Sequence, residues 1–362
     1  MFPRTGMLFV TMFLLTAIAT AACTRAAPQS TTGKTTAVAT TSTAAARTTS
    51  TPAVNPFASV PGIIDPANHG WPREGQGMNG KVVIKSRPQS IHTLSLGHDE
   101  VTYALVAAQR VAAVGKYTQD PVYSNVAELA KKVPGIGREP EQIVARQPDL
   151  VVASHTIKVD LIKALENAGL VVVQTELHND PQGRIQDILF LGYLYGEEDR
   201  AIELANEVQR RSDALAAITK TKPDGKRPRV LPLTSYSDKI YTAGKGSTEG
   251  TITEVAGGLN AAAEASIEGN KTISSEGIIS MRPDVIFIAQ PADSGEPFRK
   301  KLLSDPALAE VPAIKQQRVY LVEAKFFTTL SFWNIRGAEE LAKILWPEDF
   351  KGKEFPSFSF PK

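Results

Sequence analysis

The chain has 362 residues, 42% hydrophobic and 22% charged, with a formal net charge of +2. That length suffices for two globular domains and a tail, and so small a net charge leaves no footprint for nucleic acid. The single cysteine excludes an intrachain disulfide and a cysteine-built zinc site. The five histidines, at 69, 92, 98, 155 and 178, show no HxH or HExxH spacing, which argues against a zinc catalytic centre.

Residues 1–22 read as an export signal: Arg4, an apolar run from Met7, then Ala21 and Ala22 before Cys23. The end of the run resembles a bacterial lipobox, with Thr20 where a leucine-like residue is usual. That resemblance implies cleavage before Cys23 and acylation of its thiol. An uncleaved anchor and a plain signal are the alternatives, and each puts the body outside the cytoplasm. Residues 23–79 are a tether and lead-in. The stretch 24–55 is almost all Thr, Ala, Ser and Pro and cannot bury a core; 56–80 reads as irregular.

Residues 80–181 read as a first α/β lobe. Val82–Ile84 and Ile91–Leu96 are expected strands. Gly97-His98-Asp99 is a turn with a helix N-cap, and the helix runs on through Leu105. Strands follow at Val111–Val114, Leu150–Ala153 and Leu170–Val173. This alternation predicts a parallel, doubly wound sheet. Residues 182–221 carry no strand signal. Glu197, Glu198 and Asp199 open a helix with acids at its positive end. About 23 residues would span roughly 35 Å, enough to join two lobes in one pass; the alternative is that the helix packs on the first lobe alone. Residues 222–350 read as a second α/β lobe and 351–362 as a tail. Within the second lobe YTAGKGSTEG looks like a phosphate loop, but Lys239 stands where the first glycine must be.

One template occurs twice. EQIVARQPDLVVA (141–153) and EGIISMRPDVIFI (276–288) share a Glu, an Ile two on, Pro-Asp seven and eight on, and an apolar run. A carboxylate suits a helix start, proline ends the helix, and the run suits a strand buried on both faces. Copies about 135 residues apart are too distant for a solenoid and predict two lobes of similar build.

Together these segments resemble the substrate-binding lipoproteins of ABC importers for iron-siderophores, haem and cobalamin. RPQSIHTLSL, EQIVARQPDLVVAS, YTAGKGS with ITEVAGGLN, and RVYLVEAKFF carry the resemblance, in order, over residues 80–347. Gly97-His98-Asp99-Glu100 departs from the family's small polar residues before a Thr-Glu pair. The resemblance implies two Rossmann-like lobes joined by one long helix, with the ligand in the cleft between them. It implies a monomeric binding protein, not an enzyme, with no resident cofactor, bringing a ferric siderophore-type chelate to a permease with its ATPase. Haem and cobalamin remain open, as do a chelatase-like enzyme and a surface sensor on the same fold. It also places Glu141 and Glu276 against permease arginines. Because each opens a helix leading into its strand, both are expected at the end of the sheet opposite the cleft. Ligands of open α/β sheets sit beyond the strands' carboxyl ends. The residues there are His98, Tyr117, His155, Tyr236, Lys245, Lys325 and Phe326, with Trp333 and Arg336 close by. Aromatics offer flat apolar contact, cations suit an anionic chelate, and a His or Tyr can ligate haem iron.

Overall fold

The two repeated strands are buried throughout, and successive side chains enter different cores. In the first, Leu150 and Val152 enter one apolar core while Val151 and Ala153 enter another. In the second, Val285 and Phe287 share that first core while Ile286 and Ile288 face a third. A strand whose successive side chains point to opposite faces must be apolar throughout when both faces are covered. The structure is a computed structural model describing residues 55–361. The signal, Cys23 and the tether through residue 54 lie outside the described residues.

In chain order the first lobe carries a hairpin, β1 (Arg73–Gly77) and β2 (Gly80–Ile84), and then β3 (Ile91–Thr93), α1 (Leu96–Leu105), β4 (Val111–Gly115), α2 (Ala127–Ala130), β5 (Gly135–Ile136), α3 (Pro140–Val144), β6 (Leu150–Ser154), α4 (Val159–Asn167) and β7 (Val172–Thr175). Strands β3 to β7 form a parallel sheet in the order β5-β4-β3-β6-β7. Helices α5 (Pro181–Tyr195) and α6 (Glu198–Thr219) follow. The second lobe comprises β8 (Arg229–Tyr236), β9 (Lys239–Ala243), α7 (Thr248–Val255), β10 (Leu259–Asn260), α8 (Ala261–Glu264), β11 (Asn270–Ile273), α9 (Ser275–Met281), β12 (Val285–Ala289), α10 (Ala292–Ser304), α11 (Pro312–Lys315), β13 (Val319–Val322), α12 (Ala324–Phe327), α13 (Asn334–Leu345) and α14 (Pro347–Phe350). Its sheet order is β11-β9-β8-β12-β13, with β10 beside the start of β8. Only β9 runs antiparallel to its neighbours.

The repeated Pro-Asp has one structural task in both lobes. Asp149 Oδ2 accepts from the amides of Gln89 and Ser90, at 2.7 and 2.9 Å, where the chain enters β3. Asp284 Oδ2 accepts from the Arg229 amide at 2.9 Å, where it enters β8. In each copy the residue before proline is left-handed, Gln147 at φ 47° and Arg282 at φ 46°. A non-glycine residue there costs on the order of 1 kcal/mol or more, which the strand-end hydrogen bonds offset.

Helix α5 is capped by Asp180, which accepts from the Gln182 and Gly183 amides, and it ends at Gly196 in the left-handed region. Glycine takes that conformation without a Cβ clash, and the chain turns straight into α6. The 22 residues of α6 span about 33 Å. Arg200 donates to Ala104 O in the first lobe at 2.9 Å, and Arg211 donates to Glu339 in the second at 2.7 Å. The helix therefore touches both lobes.

Two readings change. The lead-in is not irregular from residue 73 onward: Arg73–Gly77 is a strand, and Phe57 and Val60 are buried ahead of it. The helix after β3 begins earlier than expected, because Ser95 is its cap and accepts from the His98 amide. His98, Asp99 and Glu100 consequently lie inside a helix, all fully buried.

Glu100 joins the lobes. Its Oε2 accepts from Thr329 Oγ1 at 2.6 Å and from Ser331 Oγ, both in the second lobe. Its Oε1 accepts from the Asn125 amide and Nδ2 at 2.8 and 2.9 Å. Asn125 Nδ2 also reaches Lys325 O, and Arg184 donates to Leu330 O. Glu100→Ala would remove the acceptor these donors share across the lobes. It should cost on the order of 3 kcal/mol, read as a lower urea midpoint with an unchanged denaturant slope.

Candidate functional site

The carboxyl ends of β3, β4 and β5 surround a pocket of about 680 Å³ in the first lobe, lined by His92, Lys116, Tyr117, Tyr123 and Arg138 among others. Asp99 shapes it from below. Its carboxyl accepts from Thr93, from Thr118 Oγ1 at 2.6 Å and from the Gly115 amide at 3.3 Å, fixing the turn that presents Lys116 and Tyr117. Burial pushes Asp99 up to about 7 against those hydrogen bonds. Tyr117 is 73% exposed and meets Tyr123 edge-on at 6.0 Å. Lys116 and Arg138 are exposed and make no ion pair among the described residues. At the floor, His92 Nδ1 lies 2.8 Å from Ala113 O and Nε2 has no partner. Burial holds this imidazole below its usual range, so it is neutral and Nε2 is left as an acceptor.

The second lobe answers with a pocket of about 290 Å³ lined by Tyr236, Tyr241, Glu249, Asn270 and Phe287, at the carboxyl end of β8 and along β9 and β12. Tyr236 is 75% exposed. The lobes approach one another here: burial first, then the charge of Asp120 and that of Asp293 in the second lobe, raise the Tyr123 phenol. At the other end of the cleft Asn179, just after β7, donates to Gly246 O at 2.8 Å and accepts from Thr248 Oγ1 at 2.8 Å. Two α/β lobes thus face each other with the carboxyl ends of their strands, tyrosines on both walls.

Residues 91–325 match the model of the family described as periplasmic binding protein. The chain belongs to that family. It is 28% identical over 279 residues to the uncharacterized ABC transporter substrate-binding lipoprotein YvrC of Bacillus subtilis, covering 75% of this chain and 85% of that one. It is 28% identical over 224 residues to a cobalamin-binding protein of Halobacterium salinarum, covering 61% of this chain and 59% of that one. Among solved structures it is similar to the periplasmic heme-binding protein RhuT from Roseiflexus sp. RS-1 in apo form, at 25% identity and a TM-score of 0.63, covering 72% of this chain and 98% of that one. These relatives are substrate-binding transport proteins rather than enzymes, and they carry ligands rather than cofactors. Among the described residues no helix is long and apolar enough to cross a membrane.

The binding protein brings only part of the expected set to its cleft. Tyr117 and Tyr236 line the two pockets. Lys245 is exposed beside Gly246, at the Asn179 end. His155, at the end of β6, lies 3.2 Å from Glu176. Lys325 lies 2.9 Å from Glu323 and over the Phe326 ring. His98 is a correction: it is sealed in α1 with Nδ1 2.8 Å from Ser95 Oγ, and burial, then Arg184 and His155, hold it down at about 3. Trp333 and Arg336 are corrections too. Trp333 is buried among Phe326, Phe332, Phe358 and Phe360, and Arg336 donates to Phe355 O. The C-terminal tail covers Trp333 and Arg336, while Phe326 is half-buried against both of them.

Glu141 and Glu276 are both exposed, but they do not sit opposite the cleft. Gln142 Oε1 accepts from the Gly137 amide, and Gly137 lines the first-lobe pocket. Ile273, just before α9, pairs with Ile240 beside the turn that leaves the carboxyl end of β8. A helix that follows a parallel strand starts at that strand's carboxyl end, so the carboxylates lie toward the cleft side.

Tyr123, Lys116, Arg138, Tyr241 and Glu249 escaped the sequence reading. Lys116 and Arg138 had a signal, since each directly follows a strand–glycine junction at a carboxyl end. Glu249 had none. Tyr117→Ala should weaken ligand binding by roughly 1 kcal/mol or somewhat more with an unchanged melting temperature. Trp333→Ala should do the reverse, destabilising by about 3–5 kcal/mol while the folded variant retains its affinity; calorimetric titration beside thermal melting separates the two.

Proposed function

We propose that this chain is the extracytoplasmic capture component of an ABC importer. It holds a preassembled metal chelate of ferric siderophore type between its lobes and presents it to a permease served by a cytoplasmic ATPase. The observation that carries this reading is the pairing of tyrosine walls on both lobes with the exposed cations Lys116 and Arg138, which make no ion pair among the described residues. Such walls suit a flat apolar body, and such cations suit an anionic rim. Among the described residues no three His, Cys, Asp or Glu side chains are placed to hold a bare ion, which supports a metal that arrives already chelated. Haem is a second reading, supported by the likeness to RhuT and by Tyr117 and Tyr236, exposed phenols able to ligate iron.

Absorption titration of the apoprotein tests both. A ferric siderophore should bind one per chain with its charge-transfer band perturbed, and ferric ion without a chelator should not bind. A shifted Soret band on adding hemin selects haem. New corrinoid bands, with neither of the others, overturn the ferric reading.

Cys23 is proposed as the acylated N-terminus, supported by the lipobox-like stretch and by the lipoprotein name of YvrC. Glu141 and Glu276 are proposed as docking contacts, one per lobe on the cleft side, where a permease receiving the ligand would meet them. Exposed ion pairs contribute about 1 kcal/mol or less each, and well-separated losses roughly add. The double variant Glu141→Ala, Glu276→Ala should keep ligand affinity and lose uptake in whole cells. In the same cells Cys23→Ser should move the protein to the soluble fraction. Reduced affinity in the double variant would put these carboxylates at the ligand instead.

A further inference from the structure

The second-lobe pocket holds a carboxyl group that nothing else in the fold uses. Glu249 stands in the first turn of α7 and lines the pocket with Tyr236 and Tyr241 from β8 and β9, Asn270 from β11 and Phe287 from β12. The charged residues of those elements, Arg229, Lys239, Glu254 and Lys271, do not line it, nor do Lys325 of α12, Arg336, Glu339, Glu340 and Lys343 of α13, or the charged residues of α6, the helices that pack on α7. Arg229 is occupied by Glu264, and Lys239 faces a separate depression near Phe298. Among the described residues Glu249 makes no ion pair, and its one hydrogen bond is with its own amide. The side chain keeps partial exposure, and that exposure opens on the pocket.

A carboxyl in the first turn of a helix suits the helix dipole, but that alone does not require the burial seen here. The buried acids that serve the fold are satisfied several times over: Glu100 by four donors and Asp99 by three. Glu249 has the surroundings of a buried acid and, among the described residues, only its own amide as partner. An uncompensated polar group at an apolar wall is costly, and a ligand group able to donate to it removes that cost. The phenyl walls of Tyr241 and Phe287 favour a cation with an apolar stem over a small hydrated ion.

We propose that this pocket is a subsite for a cationic, hydrogen-bond-donating substituent of the transported molecule, a primary ammonium or a guanidinium on an apolar stem, with Glu249 as its anchoring carboxylate. The proposal rests on the capture reading and narrows its ligand: a chelate with acidic groups toward Lys116 and Arg138 and a basic arm in the second lobe. Desolvation pushes Glu249 up to about 7. The cation binds the ionised form, so affinity rises as pH rises through that value and levels off above it.

The subsite is tested with a fragment, so that its outcome does not depend on which chelate is carried. 4-Fluorobenzylamine is titrated into the intact protein and followed by fluorine NMR, with 4-fluorobenzyl alcohol as the neutral control. With a pKa near 7, binding of the amine should be about tenfold weaker at pH 6 than at pH 8, and the alcohol should show no pH dependence. Glu249→Gln should melt as the parent does. It should weaken the amine at pH 8 by about tenfold or more and abolish the pH dependence, leaving the alcohol unchanged. Amine binding that is absent, flat with pH or indifferent to Glu249→Gln overturns the proposal. So does tighter binding of 4-fluorobenzoate at pH 6, which would make Glu249 a protonated donor to an anion. If the fragment behaves as expected while no ferric chelate binds, the capture reading fails and the subsite stands.

Discussion

The two lobes are held as one body by a carboxylate that neither lobe satisfies alone. Glu100 is fully buried at the base of the cleft, and burial raises its pKa while hydrogen bonds from Ser331, Thr329 and Asn125 oppose the rise. An isolated carboxylate there would be neutralised. Supplied from both sides, it becomes a junction in which each lobe completes the other's polar groups. Arg184, equally buried, seizes the carbonyl of Leu330 between the two hydroxyl-bearing residues. The segment 329–331 is therefore fixed from three directions, and the cleft floor with it.

Rigidity at the floor determines how the protein can bind. Hinge closure needs a few residues able to absorb large dihedral changes. Here the connection is α6, an unbroken helix whose ends are pinned by Arg200 to the first lobe and by Arg211 to the second. The tail adds a strap: Arg200 and Arg211 also hold Ser359 O and Pro356 O, and Phe358 packs edge-on against Phe332 and Trp333. Adaptation is left to side chains at the cleft rim, of which Tyr117 and Tyr236 have the most freedom. A preformed cleft spends little binding energy on ordering the protein, so affinity follows from complementarity at the walls.

Much of this was legible because it follows from periodicity. The repeated strands, the parallel sheets and the lobe-joining helix leave apolar runs that no other arrangement can bury. Strand β1 was not legible, because REGQG has no apolar residue at all. Its inward positions are Arg73, which sits between the rings of Trp71 and Tyr193 and pairs with Glu198, and Gly75, where any Cβ would meet Leu194. A buried arginine and a packed glycine both read as surface. The site was half legible for a similar reason. Strand ends could be located, which found Tyr117 and Tyr236. Whether an aromatic beyond a strand end faces ligand or protein depends on what else competes for it. For Trp333 the competitor was the FPSFSF tail, far along the chain and short enough to pass for an unattached end.

The two walls of the cleft are alike in shape and unlike in charge. Duplicated lobes give both sides tyrosines at strand ends, but the first lobe adds Lys116 and Arg138 where the second adds Glu249. Apolar contact alone would let a flat ligand enter either way round, because tyrosine walls are nearly interchangeable. Opposite charge on the walls removes that degeneracy: reversing a ligand with one acidic and one basic end sets like charges together, which is penalised even where the attractive pairing contributes little net affinity. The exposed carboxylates of the repeated template, Glu141 and Glu276, are the same on both lobes and carry no such distinction. In the reading proposed above, orientation of the cargo is set by the residues that break the internal symmetry, while the template carboxylates on the cleft side keep that symmetry.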